Sequence, residues 1–368
     1  MKNVSMIRMH ILVLIPILAM ACSSYSRQFS EEEWKKKVQD TDTEKLYENN
    51  YRDGHYENPW LPWQDKSVGE FLEWVTAKKP RFTEHEKNYL PAVIPHALSR
   101  IMSLPEQTNF IMWIGHNSFL IRINGVYWLI DPILSGRSFW TKRKTPPAVT
   151  AAELRRLPGS LNIIITHNHY DHLDRETIKE LPASVRIFAP LGLRPFFEDL
   201  GRQDITEMNW WQSHDCGGGI GLHCLPAQHW SRRVTTGTNR TLWASFILES
   251  PECTVYIAGD SGYFKGFEVI GKNFPNIDYA LMPVTAYQPR WFMHYAHMDI
   301  DETLRAFDEL GARNFIPAHW GTFSFGYEPA GYPVLELKEK ITARKLDRSR
   351  FLIISIGEII TLPGKNAP

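Results

Sequence analysis

The sequence contains few cysteines and carries no net charge. Four cysteines among 368 residues, none at the spacing of a zinc-binding cysteine motif, exclude a cysteine-built metal module and a disulfide-dense scaffold. The 41 Lys and Arg residues balance 41 Asp and Glu residues and form no basic stripe, so nucleic acid is not expected as a partner. With 43% apolar residues and no internal repeat, the chain is typical of a globular protein with a large core.

The sequence also lacks an apolar run long enough to cross a bilayer. The run at residues 11–20 follows Lys2 and Arg8 and has the length of a secretory segment, so residues 1–21 are predicted to be a signal peptide. The end of this segment resembles a bacterial lipoprotein cleavage site, which implies a lipidated Cys22 and a tether to the outer membrane, facing the periplasm. Cleavage without lipidation stays open, because a methionine stands where a small residue is usual.

Composition divides the rest of the chain into two parts. Residues 22–55 are polar and charged, and they are predicted to form a solvated tether that contains one helix. Residues 56–368 are predicted to form a single folded domain. Near its start, Phe71, Trp74 and Val75 fall on one face of a helix and are expected to cover the core, with contact to lipid as the alternative.

Alternating strands and helices predict an α/β fold. Apolar runs at residues 110–114, 118–123 and 126–130 are typical of successive strands, and Asn124-Gly125 between two of them is a strong hairpin signal. Strands and helices then alternate, which predicts two mixed β-sheets packed face to face with helices outside. Asp131 follows one of the strands, and its carboxylate is expected to orient a ligand histidine rather than to bind metal.

The densest group of potential ligands follows a predicted buried strand at residues 161–165. The segment His167-Asn168-His169-Tyr170-Asp171-His172 holds four potential ligands within six residues. Backbone geometry spreads these side chains over different directions, so two metal ions are expected rather than one. Three distant ligands near predicted strand ends complete the set: His229, Asp260 and His319. One shared carboxylate would then hold two ions about 3.5–4 Å apart around a water.

These motifs resemble those of the metallo-β-lactamase superfamily, whose members hold one or two metals at one edge of an αβ/βα sandwich. The resemblance is closest to the N-acylphosphatidylethanolamine-hydrolysing phospholipase D family and its bacterial relatives, and it covers the chain from about residue 56 onward. The segments that carry it are Asn58-Pro59-Trp60, Trp210-Trp211, Gln228-His229-Trp230-Ser231, Ala258-Gly259-Asp260-Ser261-Gly262-Tyr263, Tyr287-Gln288-Pro289-Arg290-Trp291-Phe292-Met293 and Ala318-His319-Trp320-Gly321-Thr322-Phe323.

The resemblance gives each ligand a role. It implies two zinc ions per chain, with Asp260 as the bridge between them. By the same resemblance, the first zinc is bound by His167, His169 and His229, and the second is bound by Asp171, His172 and His319. Thr285 and Gln288 stand where the family pattern has glycine and glutamate, and these departures are expected to affect substrate contacts and not the metal site.

The expected activity is hydrolysis of a phosphodiester. Two zinc ions would activate a water at neutral pH, and Asp260 and Asp171 are predicted catalytic residues, with Asp260 orienting that water. His297 is the candidate that protonates the leaving group, with a helix-start contact as the alternative. His116 is expected to stabilise a turn, with a place at the border of the site as the alternative. By resemblance, the substrate is an N-acylphosphatidylethanolamine-like phospholipid, cleaved to phosphatidic acid and an N-acylethanolamine.

Two other functions are compatible with the sequence. The same ligands would serve hydrolysis of a lactone, an amide or a thioester, because activated water attacks carbonyl carbon as well as phosphorus. The third hypothesis is a non-catalytic envelope lipoprotein. Three arginines, Arg232, Arg233 and Arg290, are weaker candidates for contact with lipid phosphate. No oligomeric state follows from the sequence.

Overall fold

The structure, a computed structural model, describes residues 25–363. The predicted signal peptide and Cys22 lie outside the described residues. Within residues 25–363, no helix combines the length and the apolar composition that a membrane crossing requires.

β-Strands form the centre of the molecule. Within the described residues they are, in chain order, β1 (Tyr51–Arg52), β2 (His55–Tyr56), β3 (Phe110–Gly115), β4 (Ser118–Ile123), β5 (Val126–Ile130), β6 (Arg137–Ser138), β7 (Thr141–Lys142), β8 (Leu161–Ile164), β9 (Arg186–Pro190), β10 (Ile205–Met208), β11 (Ser213–Asp215), β12 (Gly221–Leu225), β13 (Arg232–Arg233), β14 (Gly237–Thr238), β15 (Ser245–Glu249), β16 (Thr254–Ile257), β17 (Tyr279–Pro283), β18 (Asn314–Ala318) and β19 (Ile359–Thr361). Buried β-branched and aromatic residues fill the longer strands, as expected where both faces of a sheet are covered.

Helices connect these strands. In the same part of the chain they are α1 (Tyr25–Gln28), α2 (Glu31–Gln39), α3 (Val68–Thr76), α4 (Glu84–Asn88), α5 (Ala97–Met102), α6 (Ala151–Leu154), α7 (Arg175–Glu180), α8 (Arg194–Glu198), α9 (Gly266–Asn273), α10 (Arg290–Met293), α11 (Ile300–Leu310) and α12 (Tyr332–Ala343), with short 3₁₀ helices at Thr43–Tyr47 and Arg348–Arg350. α11 begins at a capping box between Asp299 and Glu302 and ends at Gly311, whose φ is 64°.

The strands form two large mixed sheets. The first has the order β10-β9-β8-β5-β4-β3-β19, with parallel pairing from β10 to β5 and antiparallel pairing beyond. The second has the order β11-β12-β15-β16-β17-β18, in which β16, β17 and β18 are parallel. The prediction of an αβ/βα sandwich with two mixed sheets is confirmed.

Side chains of the first sheet alternate between two apolar layers. On β3, Ile111 and Trp113 pack with the second sheet, whereas Met112 and Ile114 pack with helices α5 to α8. Every residue of β3 is buried because both faces are covered. The Trp113 ring stacks on that of Trp320, with centroids 4.9 Å apart. This contact ties the end of β3 to the loop after β18.

The predicted tether packs against the domain. α2 forms where a helix is expected, but Trp34 and Val38 on one of its faces are buried in the core, as is Leu46. At the start of the helix, Glu31 pairs with Arg290 at 3.1 Å. The prediction of a solvated segment is therefore wrong for these residues, because apolar side chains four positions apart on a helix share a face that can be buried.

The three apolar side chains of helix α3 divide between the interior and solvent. Phe71 and Val75 are each 51% exposed. Trp74 packs inward, and its ring stacks on Phe292 with centroids 5.2 Å apart. The prediction that all three side chains cover the core is therefore wrong for Phe71 and Val75, which face solvent.

Candidate metal centre

The seven predicted ligands meet at one edge of the sandwich. The loop that contains His167 to His172 follows β8, and His319 directly follows β18. His229 and Asp260 lie in the loops after β12 and β16. These positions are all at carboxyl ends of strands, where α/β sheets place their ligand-binding residues. The structure divides the side chains into two groups, each with ligand atoms within 4.8 Å of one another.

His169 lies at the centre of the first group. Its Nδ1 is 2.9 Å from Nε2 of His167 and 3.2 Å from Nε2 of His229. Oδ2 of Asp260 is 3.8 Å from Nε2 of His229. Three ring nitrogens and one carboxylate oxygen form a ligand set that zinc accepts.

Asp171 lies at the centre of the second group. Its Oδ2 is 3.1 Å from Nε2 of His319 and 3.5 Å from Nε2 of His172. The two Nε2 atoms of His319 and His172 are themselves 3.1 Å apart. This group thus offers a carboxylate as well as imidazoles, a mixture that suits zinc, iron or manganese.

The carboxylate of Asp260 contacts both groups. Its Oδ2 is 3.3 Å from Nε2 of His172, and its Oδ1 is 3.2 Å from Nε2 of His319. The same side chain faces His229 of the first group. A carboxylate in this place can give one oxygen to each of two cations, which agrees with the bridging role that the resemblance implies.

Hydrogen bonds on the outer side of the rings orient His229 and His319. His229 Nδ1 donates to the carbonyl oxygen of Ala296 at 3.1 Å, and His319 Nδ1 donates to the hydroxyl of Thr285 at 2.7 Å. In the neutral ring, each Nε2 therefore presents its lone pair to a cation. The expectation that Thr285 leaves the metal site untouched is wrong, since its hydroxyl holds a ligand ring.

Asp131 orients His172, as predicted. Its Oδ2 accepts from His172 Nδ1 at 2.7 Å and from Asn117 Nδ2 at 2.8 Å. The fully buried carboxylate also accepts from the backbone N–H of Thr166 at 2.7 Å. The Thr166 hydroxyl in turn accepts from His167 Nδ1 at 3.0 Å. One carboxylate thus positions a ring in each group, directly in the second and through Thr166 in the first.

The polar atoms at the centre fit a pair of cations. His169 Nδ1 carries at most one proton, so it can bond to only one of the Nε2 atoms of His167 and His229 beside it. The other contact sets lone pair against lone pair, and a cation between them removes that repulsion. Oδ1 of Asp260 is likewise buried, and its contact with Nε2 of His319 at 3.2 Å falls outside hydrogen-bond geometry. The donor set therefore fits metal ions.

His116 also belongs to the second group. Its Nε2 is 3.0 Å from Oδ2 of Asp171, and its ring centroid is 4.1 Å from that of His319. The prediction of a turn-stabilising role is wrong, because the ring is fully buried at the centre. The backbone N–H of His116 instead donates to the Thr322 hydroxyl at 2.9 Å. The available sequence signal is the position of His116 directly after a strand, which the other ligands share.

His297 lies beside the centre and outside both groups. Its ring centroid is 5.4 Å from that of His229 and 6.0 Å from that of His319. Burial lowers the pKa of His297 to about 4, so the ring is neutral at pH 7. Its part in proton transfer stays a prediction.

The imidazoles of the first group are neutral at pH 7. Burial lowers the pKa of His169 to about 4, and it holds the pKa values of His167 and His229 well below the usual range. Neutral imidazole is the form that binds metal, so this group needs no proton loss before a cation enters.

The second group brings opposite charges into contact. Burial alone would lower the pKa of His319, but the carboxylates of Asp260 and Asp171 raise it to about 9. Burial is outweighed in the same way at His172, whose pKa lies well above its usual range. Despite burial, His319 and His172 hold the pKa of Asp260 well below its usual range. A cation that enters this group must displace protons.

Three residues of the centre have a left-handed backbone. The φ angles are 53° at His116, 37° at Asp131 and 66° at His319. This conformation costs a residue other than glycine about 1–3 kcal/mol, and such strain concentrates at functional sites. Gly262, two residues after Asp260, is required for a close contact between chain segments, because an added Cβ would lie 2.0 Å from the carbonyl oxygen of Tyr295.

Two of the three candidate phosphate-binding arginines bond to other residues of the protein. Arg290 pairs with Glu302 at 2.9 Å, and Arg233 donates through Nε to the carbonyl oxygen of Asn168 at 2.5 Å. Arg290 and Arg233 therefore hold the structure around the centre, and Arg232 is the candidate whose side chain stays exposed.

Comparison with known proteins identifies relatives of this chain. Residues 127–320 match a family described as the beta-lactamase superfamily domain. N-acyl-phosphatidylethanolamine-hydrolyzing phospholipase D 1 of Caenorhabditis elegans is 33% identical over 304 residues, which cover 76% of this chain and 85% of the relative. The outer membrane protein RomA of Klebsiella pneumoniae is 44% identical over 110 residues, 30% of this chain and 80% of the relative. The solved structure of a metallo hydrolase from Ignicoccus hospitalis, 23% identical, has a TM-score of 0.54 and covers 70% of this chain and 100% of that one.

Fold and site together define a class of protein. An αβ/βα sandwich with two ligand groups at the carboxyl ends of its strands is the structure of a metal-dependent hydrolase. The chain belongs to the metallo-β-lactamase superfamily, near its N-acylphosphatidylethanolamine-hydrolysing phospholipase D members. The matched residues 127–320 include all seven ligands predicted from the sequence.

Proposed function

We propose that the chain is a zinc-dependent phosphodiesterase of the phospholipase D type. It hydrolyses N-acylphosphatidylethanolamine-like phospholipids to phosphatidic acid and an N-acylethanolamine. The observation that carries this proposal is the carboxylate of Asp260 between two ligand groups. Two cations compensate the charge of a phosphodiester better than one, and the chain is 33% identical to a relative named for this hydrolysis.

The side chains of the centre have different roles in this reaction. His167, His169 and His229 would hold one zinc, and Asp171, His172 and His319 would hold the other. Bound zinc supplies charge compensation for the phosphate and raises the acidity of water. Asp260 accepts a hydrogen bond from the attacking water and directs its oxygen toward phosphorus. That oxygen forms a bond to phosphorus, the bond from phosphorus to the ethanolamine oxygen breaks, and the departing oxygen takes a proton.

His297 is the side chain proposed to move that proton. Its neutral ring faces both ligand groups, and its buried Nδ1 has no hydrogen-bond partner among residues 25–363. A neutral imidazole can accept a proton from the attacking water and deliver it to the leaving oxygen.

An aromatic wall beside the first group offers apolar contact to a lipid. The Trp230 ring lies 4.7 Å from that of His169, and Trp63 stacks on Trp230 at 4.8 Å with an interplanar angle of 4°. Both tryptophans are partly exposed, so a bound substrate can reach them. Rigid aromatic faces of this kind suit acyl chains and glycerol backbones.

The proposed location is the outer membrane, with the domain in the periplasm and lipidated Cys22 as the anchor. Similarity to an outer membrane protein over part of the chain supports this location. A phospholipid substrate in the same membrane would then lie within reach of the tethered domain.

The test is turnover of defined lipids by the purified protein. N-acylphosphatidylethanolamine and phosphatidylethanolamine are offered separately in mixed micelles, with a chromogenic lactone and a thioester as alternatives. We expect phosphatidic acid from the N-acylated lipid, loss of the product after chelation, and recovery when zinc is added back.

The controls separate this activity from other hydrolysis. Protein refilled with Mg²⁺ after chelation is the matched control, because Mg²⁺ prefers oxygen ligands and should not restore turnover. Absence of metal-dependent phosphatidic acid from either lipid would refute the proposal. Zinc-dependent cleavage of the lactone or thioester alone would assign the centre to carbonyl chemistry.

A further inference from the structure

Two hairpins beside the metal loop expose apolar tips. The β6–β7 hairpin exposes Phe139 by 43% and Trp140 by 76%, and the β13–β14 hairpin exposes Val234 by 78%. Tyr170, partly exposed, lies between the two tips. We call these four residues the apolar rim. Exposed aromatic and aliphatic side chains that cluster on a surface commonly mark an interaction site.

Tyr170 connects the apolar rim to the metal centre. The Phe139 ring stacks on that of Tyr170 with centroids 4.4 Å apart, and the Tyr170 hydroxyl accepts from the backbone N–H of Val234 at 3.3 Å. Tyr170 stands in the chain between the ligands His169 and Asp171. The rim and the metal loop are therefore parts of one structure.

The β13–β14 hairpin is fixed to the same loop by its arginines. The Arg233 guanidinium donates to the carbonyl oxygen of Asn168 and lies 4.4 Å from the centre of the Tyr170 ring. The backbone N–H of Arg232 donates to Asn168 Oδ1 at 2.9 Å. These bonds hold the tip of the hairpin in place, so its exposed valine is presented at a defined position.

Positive charge surrounds the apolar rim. Four cationic residues of the two hairpin segments are exposed, namely Arg137, Lys142, Lys144 and Arg232. None of them forms an ion pair with any residue that the structure describes. Neither residues 132–152 nor residues 227–248 contain Asp or Glu. The two hairpin segments are thus apolar at their tips, cationic around them and free of acidic residues of their own.

We propose that the apolar rim docks on the surface of a bilayer that contains anionic phospholipid. Tryptophan favours the boundary between headgroups and acyl chains, and unpaired Lys and Arg are attracted to anionic headgroups. Docking there brings the metal loop against the lipid surface from which a substrate must come. The inference rests on the proposed function for the identity of that substrate, and on the hairpins for the contact itself.

A second exposed apolar stripe provides an internal comparison. Helix α3 presents Phe71 and Val75 to solvent, but it also carries Glu70, which pairs with Lys66 at 3.5 Å. Its charges are mixed, so it lacks the complementarity to an anionic surface that the rim has. Replacing two apolar side chains on each surface therefore tests which of the two surfaces contacts the bilayer.

The experiment measures vesicle binding of the full chain. Every protein carries Cys22→Ser, so no acyl chain contributes and the amino-terminal segment is the same throughout. Flotation with vesicles of phosphatidylcholine, alone or with about one third phosphatidylglycerol, gives the bound fraction. The variants are Trp140→Ser/Val234→Ser in the rim, Lys142→Gln/Lys144→Gln beside it, and Phe71→Ser/Val75→Ser as the matched control. Thermal unfolding midpoints report whether each variant is folded.

We expect binding to the anionic vesicles to fall about tenfold or more in the rim variant. The lysine variant should lose affinity for anionic vesicles only, and the loss should shrink at high salt. The control should change by less than about twofold.

Three outcomes would overturn the proposal. The first is no vesicle binding by the parent protein, and the second is loss of binding in the α3 variant with the rim variant unaffected. The third is a parent dimer that the rim variant converts to a monomer without any vesicle binding, which would assign the rim to contact between copies. Because binding is read without turnover, absence of lipid hydrolysis would count against the proposed function and leave this result standing.

Discussion

The two ligand groups of the centre use the same side chains, three imidazoles and one carboxylate each, but they differ in how those side chains are charged and supported. The first sets the three imidazoles of His167, His169 and His229 against Asp260, whereas the second sets those of His116, His172 and His319 around Asp171. Asp260 contacts both groups. The supporting hydrogen bonds also differ, because the second group rests directly on the carboxylate of Asp131 and the first reaches it through Thr166.

Charge separates the two groups most clearly. In the first, burial keeps the rings of His167, His169 and His229 neutral at pH 7. In the second, carboxylates overcome burial, so His172 and His319 are positive in the metal-free chain. The same types of ligand can therefore build one group that binds metal without losing protons and another that must release protons when metal binds. We therefore expect two ions of unequal affinity.

The largest effect is expected from the change that breaks both groups. Asp260→Asn removes the charge that two cations would share, so metal content should fall from two ions to one or fewer and turnover should fall about 10³-fold. Metal analysis and steady-state kinetics check this. Asp204→Asn, an exposed carboxylate beside Arg186, is the matched control and should change neither by more than about twofold. Full turnover in the Asp260 variant would remove the shared carboxylate from the account.

A pH titration sharpens the comparison without a mutation. The pKa of His319 is raised to about 9, so the ring is protonated at pH 6 to 8 and must release a proton when metal binds. Affinity for the second ion should thus fall by at least about tenfold per pH unit, or at least about 100-fold from pH 8 to pH 6, because the raised pKa of His172 adds a second proton to be released. Affinity for the first ion should change much less, because its rings have lowered pKa values. Competition with a chelator at each pH measures both, and equal slopes would contradict the distinction.

Asp131→Asn tests whether the second group, which Asp131 contacts directly, depends on this carboxylate more than the first group does. The amide cannot accept from His172, Asn117 and Thr166 at once, so affinity for the second ion should drop about 10–100-fold. The first ion, supported through Thr166, should lose less than about tenfold. Stepwise zinc titration of the purified variant separates the two constants. A larger loss at the first ion would show that the relay through Thr166 matters more than direct contact.

The smallest effect is expected at His116, which touches Asp171 alone among the carboxylates. His116→Ala should weaken the second ion about tenfold and leave the first unchanged, whereas His116→Gln should retain most of the affinity by donating to Asp171. Zinc titration of both variants provides the measurement. Equal losses in the two variants would indicate that His116 binds metal itself rather than holding Asp171.

The sequence is sufficient to predict the sandwich and the seven candidate ligands that the structure brings together. Each of those ligands follows an apolar run, and the ends of neighbouring strands lie together in such a fold. Asp131 could be predicted as an orienting residue for the same reason. His116 could not be distinguished from a turn histidine, because its role depends on how the β3–β4 turn meets the loop after β18.

Which helix side chains are buried and which are exposed was the hardest feature to predict from the sequence. Trp34 and Val38 lie in a charged segment, yet they are buried, and Phe71 and Val75 lie in an apolar helix, yet they are exposed. Local composition cannot decide such cases, since burial of a helix face depends on what the rest of the chain places against it. The Thr285 hydroxyl on His319 is a similar tertiary contact between distant residues.

The most direct test of the two-ion centre is a crystal structure of zinc-loaded protein with anomalous scattering measured at the zinc edge. Two anomalous peaks are expected about 3.5–4 Å apart, one among His167, His169 and His229 and the other among Asp171, His172 and His319, with Asp260 between them. A single peak, or peaks away from these side chains, would contradict the two-ion centre.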